Sequence, residues 1–206
     1  MTLKPMMLDL FAGFGGQSQA FLNAGWDILR IDNNPLLKDV DRMILMDVVK
    51  CQPFNLCNHP IQYVHASPPC LAFSTAYDAP RARAFRAGIT DYQPDLTLVT
   101  EAIRIIKQLK PRYWSIENVK GSIKYLRPIL GEPRLIVGAW VYWGNFPLFD
   151  PSTLELPTKA SQDRRWSPLR ANHRAHIPLC VSEAFLSSQV NQLTLEAFVR
   201  SADLVN

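Results

Sequence analysis

In the first 120 residues the apolar positions come as short, dense runs, and each run stops at a carboxylate, a glycine or a proline. The runs are Met6 to Phe11, Trp26 to Ile31, Ile44 to Met46, 61 to 66 and Tyr113 to Ile116. Runs of this length and density read as strands buried on both faces, the pattern of a parallel sheet. Between them, Ser18 to Ala24 and Pro94 to Leu109 have helical spacing. In the second, Leu96, Val99, Ile103 and Ile106 share one face and a proline stands at the start. Strand and helix alternate through residue 119, which predicts an α/β fold with a mainly parallel, doubly wound sheet.

Other stretches are less regular. Leu135 to Phe146 is the most β-prone part of the chain, with Gly138 marking a bend. Pro178 to Val190 and Leu193 to Val199 read as two helices, and 48–60 and 150–174 read as loops. Thr75 to Gln93 has no clear period, which predicts a long irregular active-site loop carrying cations and the aromatic Phe85. There is no internal repeat and no low-complexity segment.

At 206 residues, 48% of them hydrophobic and 19% charged, the chain can bury one sizeable core, so a single domain over 1–206 is expected. No apolar run approaches the roughly 20 residues that a bilayer span needs, and Met1 to Pro5 lacks the apolar segment of a signal peptide. The expectation is a cytoplasmic protein without a membrane partner. Its four cysteines, Cys51, Cys57, Cys70 and Cys180, then stay reduced. Cys51, Cys57 and His59 lack a second ligand pair at zinc spacing, so no metal is expected. The net charge of +4 is mild but clustered: Arg81, Arg83 and Arg86 form one group, and Lys159, Arg164, Arg165, Arg170 and Arg174 another. Each cluster fits either a solvated face or a polyanionic partner.

Three features carry candidate chemistry. Ala12-Gly13-Phe14-Gly15-Gly16 follows the first strand and precedes a helix, where glycines let the backbone approach a ligand and helix-start amides face it. Asp32 ends the second strand about twenty residues on, a spacing at which acidic side chains meet ribose hydroxyls in dinucleotide-type folds. Asp47 ends the third, either as a ligand or as a turn cap. The second feature is Ser67-Pro68-Pro69-Cys70, where two prolines stop a strand and present a cysteine at its carboxyl end. The third is Glu117, which the strand from Tyr113 brings to the same sheet edge, as a catalytic carboxylate or a solvent-facing terminus.

Together, Asp9-Leu10-Phe11-Ala12-Gly13-Phe14-Gly15-Gly16, Ser67-Pro68-Pro69-Cys70 with Phe73-Ser74, and Glu117-Asn118-Val119 resemble the first, fourth and sixth motifs of the S-adenosylmethionine-dependent DNA cytosine carbon-5 methyltransferases. The likeness runs from about residue 6 to 185 and extends to the compact versions found in phages and prophages. It implies a Rossmann-like methyltransferase fold, S-adenosylmethionine as cofactor, double-stranded DNA as substrate and a role in DNA methylation or restriction-modification. It also implies that Cys70 adds to carbon 6 of cytosine while Glu117 holds the base edge and favours protonation at nitrogen 3. The target base has to be flipped out of the stack, and the Arg81 to Gly88 loop is the candidate to close over it.

By the same resemblance, Asp9, Phe11, Gly13, Phe14, Gly15 and Gly16 carry the methionine part of the cofactor. Asp32 with Asn33 serves the ribose side, Asp47 with Val48 the adenine, and Pro68 lines the same pocket. Ser67, Pro69, Phe73, Ser74, Arg81, Arg83, Arg86, Asn118 and Val119 would face the substrate. Asn33 stands where many relatives have an aromatic that stacks on adenine. The eighth motif is approximated by Gln162-Asp163-Arg164-Arg165-Trp166, from which Arg164 is taken as the base-contacting cation. The tenth is approximated by Ile177-Pro178-Leu179-Cys180-Val181, where Arg174-Ala175-His176 replaces the usual Gly-Asn-Ser. About ten residues separate these two motifs, where the family normally places a target recognition domain. Specificity is then expected to be short, relaxed or supplied by a protein partner. Two other readings stay open: the same chemistry on RNA or a free cytosine nucleotide, and a non-catalytic accessory subunit.

Overall fold

The computed structural model describes residues 4–56, 60–158 and 166–203, with side chains through residue 192. Seven strands form one sheet in the order β3-β2-β1-β4-β5-β7-β6. They are β1 Met6–Leu10, β2 Asp27–Asp32, β3 Met43–Leu45, β4 Tyr63–Ala66, β5 Tyr113–Val119, β6 Leu135–Val137 and β7 Trp140–Asn145. The five strands β3, β2, β1, β4 and β5 run parallel, in keeping with their unbroken apolar runs, while β7 pairs antiparallel with β5 and with β6.

Successive residues of each strand point to opposite faces, and both faces are covered. Met7 and Tyr63 pack with Phe21, Val181 and Phe185, on the side of α1 (Gln19–Asn23) and α6 (Leu179–Asp203). Leu8, Leu10, Val64, Ala66 and Ile116 pack with Ala102, Ile105 and Ile106 of α3 (Thr97–Leu109). A third cluster joins Phe73 and Val99 to Tyr125 and Leu126 of α4 (Ile123–Leu130) and to Val141 and Trp143. The doubly wound α/β sheet expected from the pattern is therefore present, with the carboxyl ends of β1, β2, β4 and β5 along one edge.

Several local expectations change. The stretch from Thr75 to Gln93 is not wholly irregular, because α2 spans Pro80–Arg86. Its Pro-Arg-Ala-Arg-Ala sequence has helix formers and an N1 proline but none of the apolar periodicity that reveals a packed helix. Helix α3 starts at Thr97, so Pro94 lies outside it. The loop-like stretch 150–174 contains the start of α5 (Arg170–Ala175). The two expected carboxyl-terminal helices are one, α6, since Asn191-Gln192 breaks the apolar period without a glycine or proline to stop the backbone. Helix α4, with Pro128 inside it, was not foreseen.

The β-prone stretch from Leu135 is a hairpin whose two-residue connection holds Gly138 at φ 58. Past it, Gly144 lets β7 lie close against β5. A Cβ there would stand 2.1 Å from the Trp114 carbonyl oxygen, a backbone atom that cannot give way. Among the described residues no helix is long and apolar enough to cross a membrane. Gly144→Ala should force β5 and β7 apart and lower stability by about 3 kcal/mol, the upper end for overpacking, as read by urea unfolding.

Candidate active site

The edge begins at the glycine turn. Phe11 leaves β1 at φ 57, a conformation disfavoured for a side chain of its size, and Gly13 and Gly15 follow at φ 54 and 72. The turn is held from both sides. Gly13 N–H donates to Asp32 Oδ2 at 3.0 Å, and the other Asp32 oxygen accepts Asn34 N–H at 2.9 Å. Arg30, buried in the middle of β2, donates to Ser18 Oγ at 2.9 Å and to the Gly15 carbonyl at 3.3 Å, while Ser18 donates to Asp9 at 2.6 Å. Burial pushes the Asp9 carboxyl up to about 7, against the pull of the Ser18 hydroxyl and Arg30. Sequence reasoning missed Arg30, although a cation inside an otherwise apolar strand was the signal.

On its outer side the turn meets α5 and the residues after it. His173 lies 4.7 Å from the Phe14 ring, Asn172 approaches Gly13, and Ile177 and His176 close on Gly16. Asp47 caps the turn that follows β3 by accepting Val49 N–H at 3.0 Å, so the capping alternative is realised. Val48 is buried and Asn33 exposed.

Cys70 stands after Pro69 at the start of a single helical turn, Leu71–Phe73. Glu117 lies inside β5 rather than at its terminus, and it is buried. Its neighbour Asn118 donates from Nδ2 to the Pro68 carbonyl at 3.0 Å, which ties the proline loop to β5. Asn118 therefore clamps the loop, and Pro68 is buried beneath it.

The electrostatics couple the two groups. Burial lifts the Cys70 thiol above its ordinary range, and Glu117 adds to the rise. A backbone hydrogen bond at Cys70 and the Arg174 charge pull it back. Burial raises the Glu117 carboxyl to about 7, against a hydrogen bond from Ser67. A protonated Glu117 removes the negative neighbour that holds Cys70 in the thiol form, so one proton on Glu117 favours the thiolate beside it. Arg174 was read as part of a basic patch and as a departure before the tenth motif, not as a neighbour of Cys70.

The arginine cluster divides. Arg81 donates from Nη1 to the carbonyls of Phe73 and Gly121 at 3.2 and 3.0 Å and lies over Tyr125, so it pins α2 to the wall of the site. Arg83, Phe85 and Arg86 are exposed, with Arg86 over the Tyr77 ring at 3.8 Å. Phe73 is buried in the core, Ser74 accepts Ala76 N–H, Pro69 is exposed, and Val119 N–H is taken by Asn118. Arg164 and Arg165, and the Cys57 and His59 weighed as metal ligands, lie outside the described residues.

A family model described as C-5 cytosine-specific DNA methylase matches residues 6–125, more than half of the chain. The chain belongs to this C-5 cytosine-specific DNA methylase family. Among its relatives, the type II methyltransferase M.AplI of Arthrospira platensis is 30% identical over 138 residues, covering 62% of this chain and 36% of that protein. M.AquIA of Picosynechococcus sp. is 25% identical over 60% of this chain and 52% of its own length. The chain thus spans about a third to a half of the length of the relatives it matches. Solved structures with a similar fold include a proposed DNA modification methyltransferase encoded within an E. coli prophage, with 18% identity and TM-score 0.45 over 68% of this chain and 46% of that one. Dnmt2 of S. pombe, at 17% identity and TM-score 0.42, covers 69% of this chain and 49% of its own.

S-adenosylmethionine is the cofactor that family membership implies. The residues that would meet it lie at this edge: the glycine turn after β1, and the Asp32 and Asp47 carboxylates after β2 and β3, which accept Gly13, Asn34 and Val49 N–H groups and keep further lone pairs to accept from a ligand. The raised Glu117 carboxyl also has a consequence for stability. Between its ordinary 4.5 and about 7, the folded chain binds more protons than the unfolded one, so stability falls as pH rises through that window. Glu117→Gln should therefore stabilise the fold by roughly 3 kcal/mol at pH 8 and by little at pH 4, as measured by urea unfolding at both values.

Proposed function

We propose that this chain methylates carbon 5 of cytosine in DNA through a covalent adduct on Cys70. The observation that carries the reading is the meeting of Cys70, in the loop that follows β4, with Glu117 of the neighbouring parallel strand β5, that loop being tied down by Asn118. Carbon 5 of cytosine is a weak nucleophile. Addition of the Cys70 thiolate to carbon 6 loads electron density onto it, and the proton that Glu117 places on nitrogen 3 offsets the charge this creates. S-adenosylmethionine, when bound, supplies the methyl group as an electrophile. The proton on carbon 5 then leaves to a base, the bond from Cys70 to carbon 6 breaks to restore the thiolate, and nitrogen 3 returns its proton to Glu117.

In this reading the glycine turn and Phe11 hold the methionine part of the cofactor, Asp32 the ribose and Asp47 the adenine amine. Arg83 and Arg86 meet the phosphate backbone, and Arg81 stays a pin. The internal stretch 147–178 is shorter than the roughly 50 residues of a small domain. It leaves no room for a separate recognition module between β7 and α6, so the chain is read as one catalytic domain. Base-edge reading would then come from surface outside this internal stretch.

The test is to incubate the protein with labelled cofactor and duplex DNA, RNA or deoxycytidine nucleotides. Label should enter DNA, Cys70→Ala should abolish transfer while cofactor binding persists, and DNA carrying 5-fluorocytosine should trap the protein covalently, because fluorine does not leave as a proton does. Label in RNA or nucleotides alone would overturn the DNA reading. Arg83→Ala should weaken DNA binding and lower its salt dependence by about one ion. Arg81→Ala should act mainly on stability.

A further inference from the structure

One face of β4 and β5 carries a row of buried polar groups that the reaction above does not use. Gln17, the residue after the glycine turn, faces the Tyr63 hydroxyl with its Nε2 at 3.4 Å, while Gln17 Oε1 accepts from Tyr142 at 3.5 Å. Tyr63 lies 2.6 Å from Ser115 Oγ, Ser115 Oγ 2.7 Å from His65 Nδ1, and His65 Nε2 2.8 Å from Ser67 Oγ. Ser67 stands one step past the Ala66–Ile116 register pair, opposite Glu117 and on the same face as His65, and its hydroxyl pulls the Glu117 carboxyl down. The row zigzags between the two strands because His65 and Ser115 are register partners.

The direction of these bonds follows from counting protons. An amide nitrogen only donates, so Tyr63 accepts from Gln17 and gives its own proton to Ser115. Ser115 then has one proton left, and the imidazole at Nδ1 is where it goes. His65 is fully buried and held neutral, its pKa lowered to about 3 by burial, so its single N–H lies on Nε2 and donates to Ser67. That leaves the Ser67 proton for Glu117.

We infer that His65, acting through Ser67, is a positioning residue for Glu117: a hydrogen-bond chain of fixed direction, starting behind the glycine turn at Gln17, delivers one hydroxyl proton to the catalytic carboxylate. The other groups facing Glu117 push the opposite way or not at all. Tyr142, its cross-strand partner, has its own ionisation raised by burial and by Glu117, and so stays neutral. Cys70 faces it as a thiol, and the nearby cation, Arg174, acts on Cys70. Burial raises Tyr63 and Asp9 adds to the rise, which keeps that hydroxyl protonated and able to donate. The Ser67 hydroxyl, called a substrate contact from sequence, is therefore committed to Glu117. Without it the carboxyl would hold its proton to higher pH and release it less readily to a bound base.

The inference rests on Glu117 being the reaction's carboxyl, but its test needs no turnover. The titration midpoint of Glu117 is followed by carboxyl 13C NMR, its signal assigned by loss in Glu117→Gln. Ser67→Ala should raise the midpoint by about one pH unit, the equivalent of losing a hydrogen bond to a charged group. Ser115→Ala and His65→Phe, which do not touch Glu117, should move it the same way, and Ser115→Thr should restore it. A purely structural role would lower the unfolding temperature and leave the midpoint where it was. An unchanged midpoint in folded Ser67→Ala and Ser115→Ala overturns the inference, whereas shifted midpoints in a protein that transfers no methyl group would fail the proposed function alone.

Discussion

The pairing of β4 with β5, in the register that sets His65 against Ser115, is the constraint on which the site depends. Side chains alternate along a strand, so a slip of one residue would send Glu117 to the opposite face and away from Cys70. Two interactions oppose that slip: the Asn118 bond to the Pro68 carbonyl and the buried bonds through Ser115. Apolar burial on the other face, through Val64 and Ile116, sets the same register independently.

Burial then decides the chemistry of the groups so aligned. Asp9 and Glu117 are both pushed to about 7, and Cys70 is raised as well, because each is withdrawn from water where its charged form is favoured. The protein does not fully neutralise these costs. Ser18 with Arg30 compensates Asp9, Ser67 compensates Glu117, and Arg174 offsets part of the effect on Cys70. Asp9 and Glu117, left partly uncompensated, are thereby brought near neutral pH, which is what a group that takes up and releases protons requires.

The positive residues are likewise divided by their surroundings. Arg30 and Arg81 are spent on backbone carbonyls, one beneath the glycine turn and one between α2 and the β5 edge, whereas Arg83 and Arg86 remain exposed on α2. All four are alike in charge. What separates them is whether a carbonyl lies within reach of a guanidinium whose stem is already packed.

The parallel strands, the glycine turn, the strand-end aspartates and the placing of Cys70 and Glu117 at one edge were legible along the chain, because each depends on short-range rules: apolar runs make buried strands, prolines end them, and parallel sheets gather those ends on one edge. Helix α2, the continuity of α6 and the antiparallel hairpin were less so, since local pattern does not say which face a neighbour will cover. The roles of Arg30, Arg81, Asn118, Arg174 and His65 belonged to the tertiary structure alone. Many of their partners lie far away in sequence, 12 residues for Arg30 and Ser18, 40 for Arg81 and Gly121, and 50 for His65 and Ser115 and for Asn118 and Pro68, with Arg174 further still from Cys70, and closure of the sheet brings such groups together.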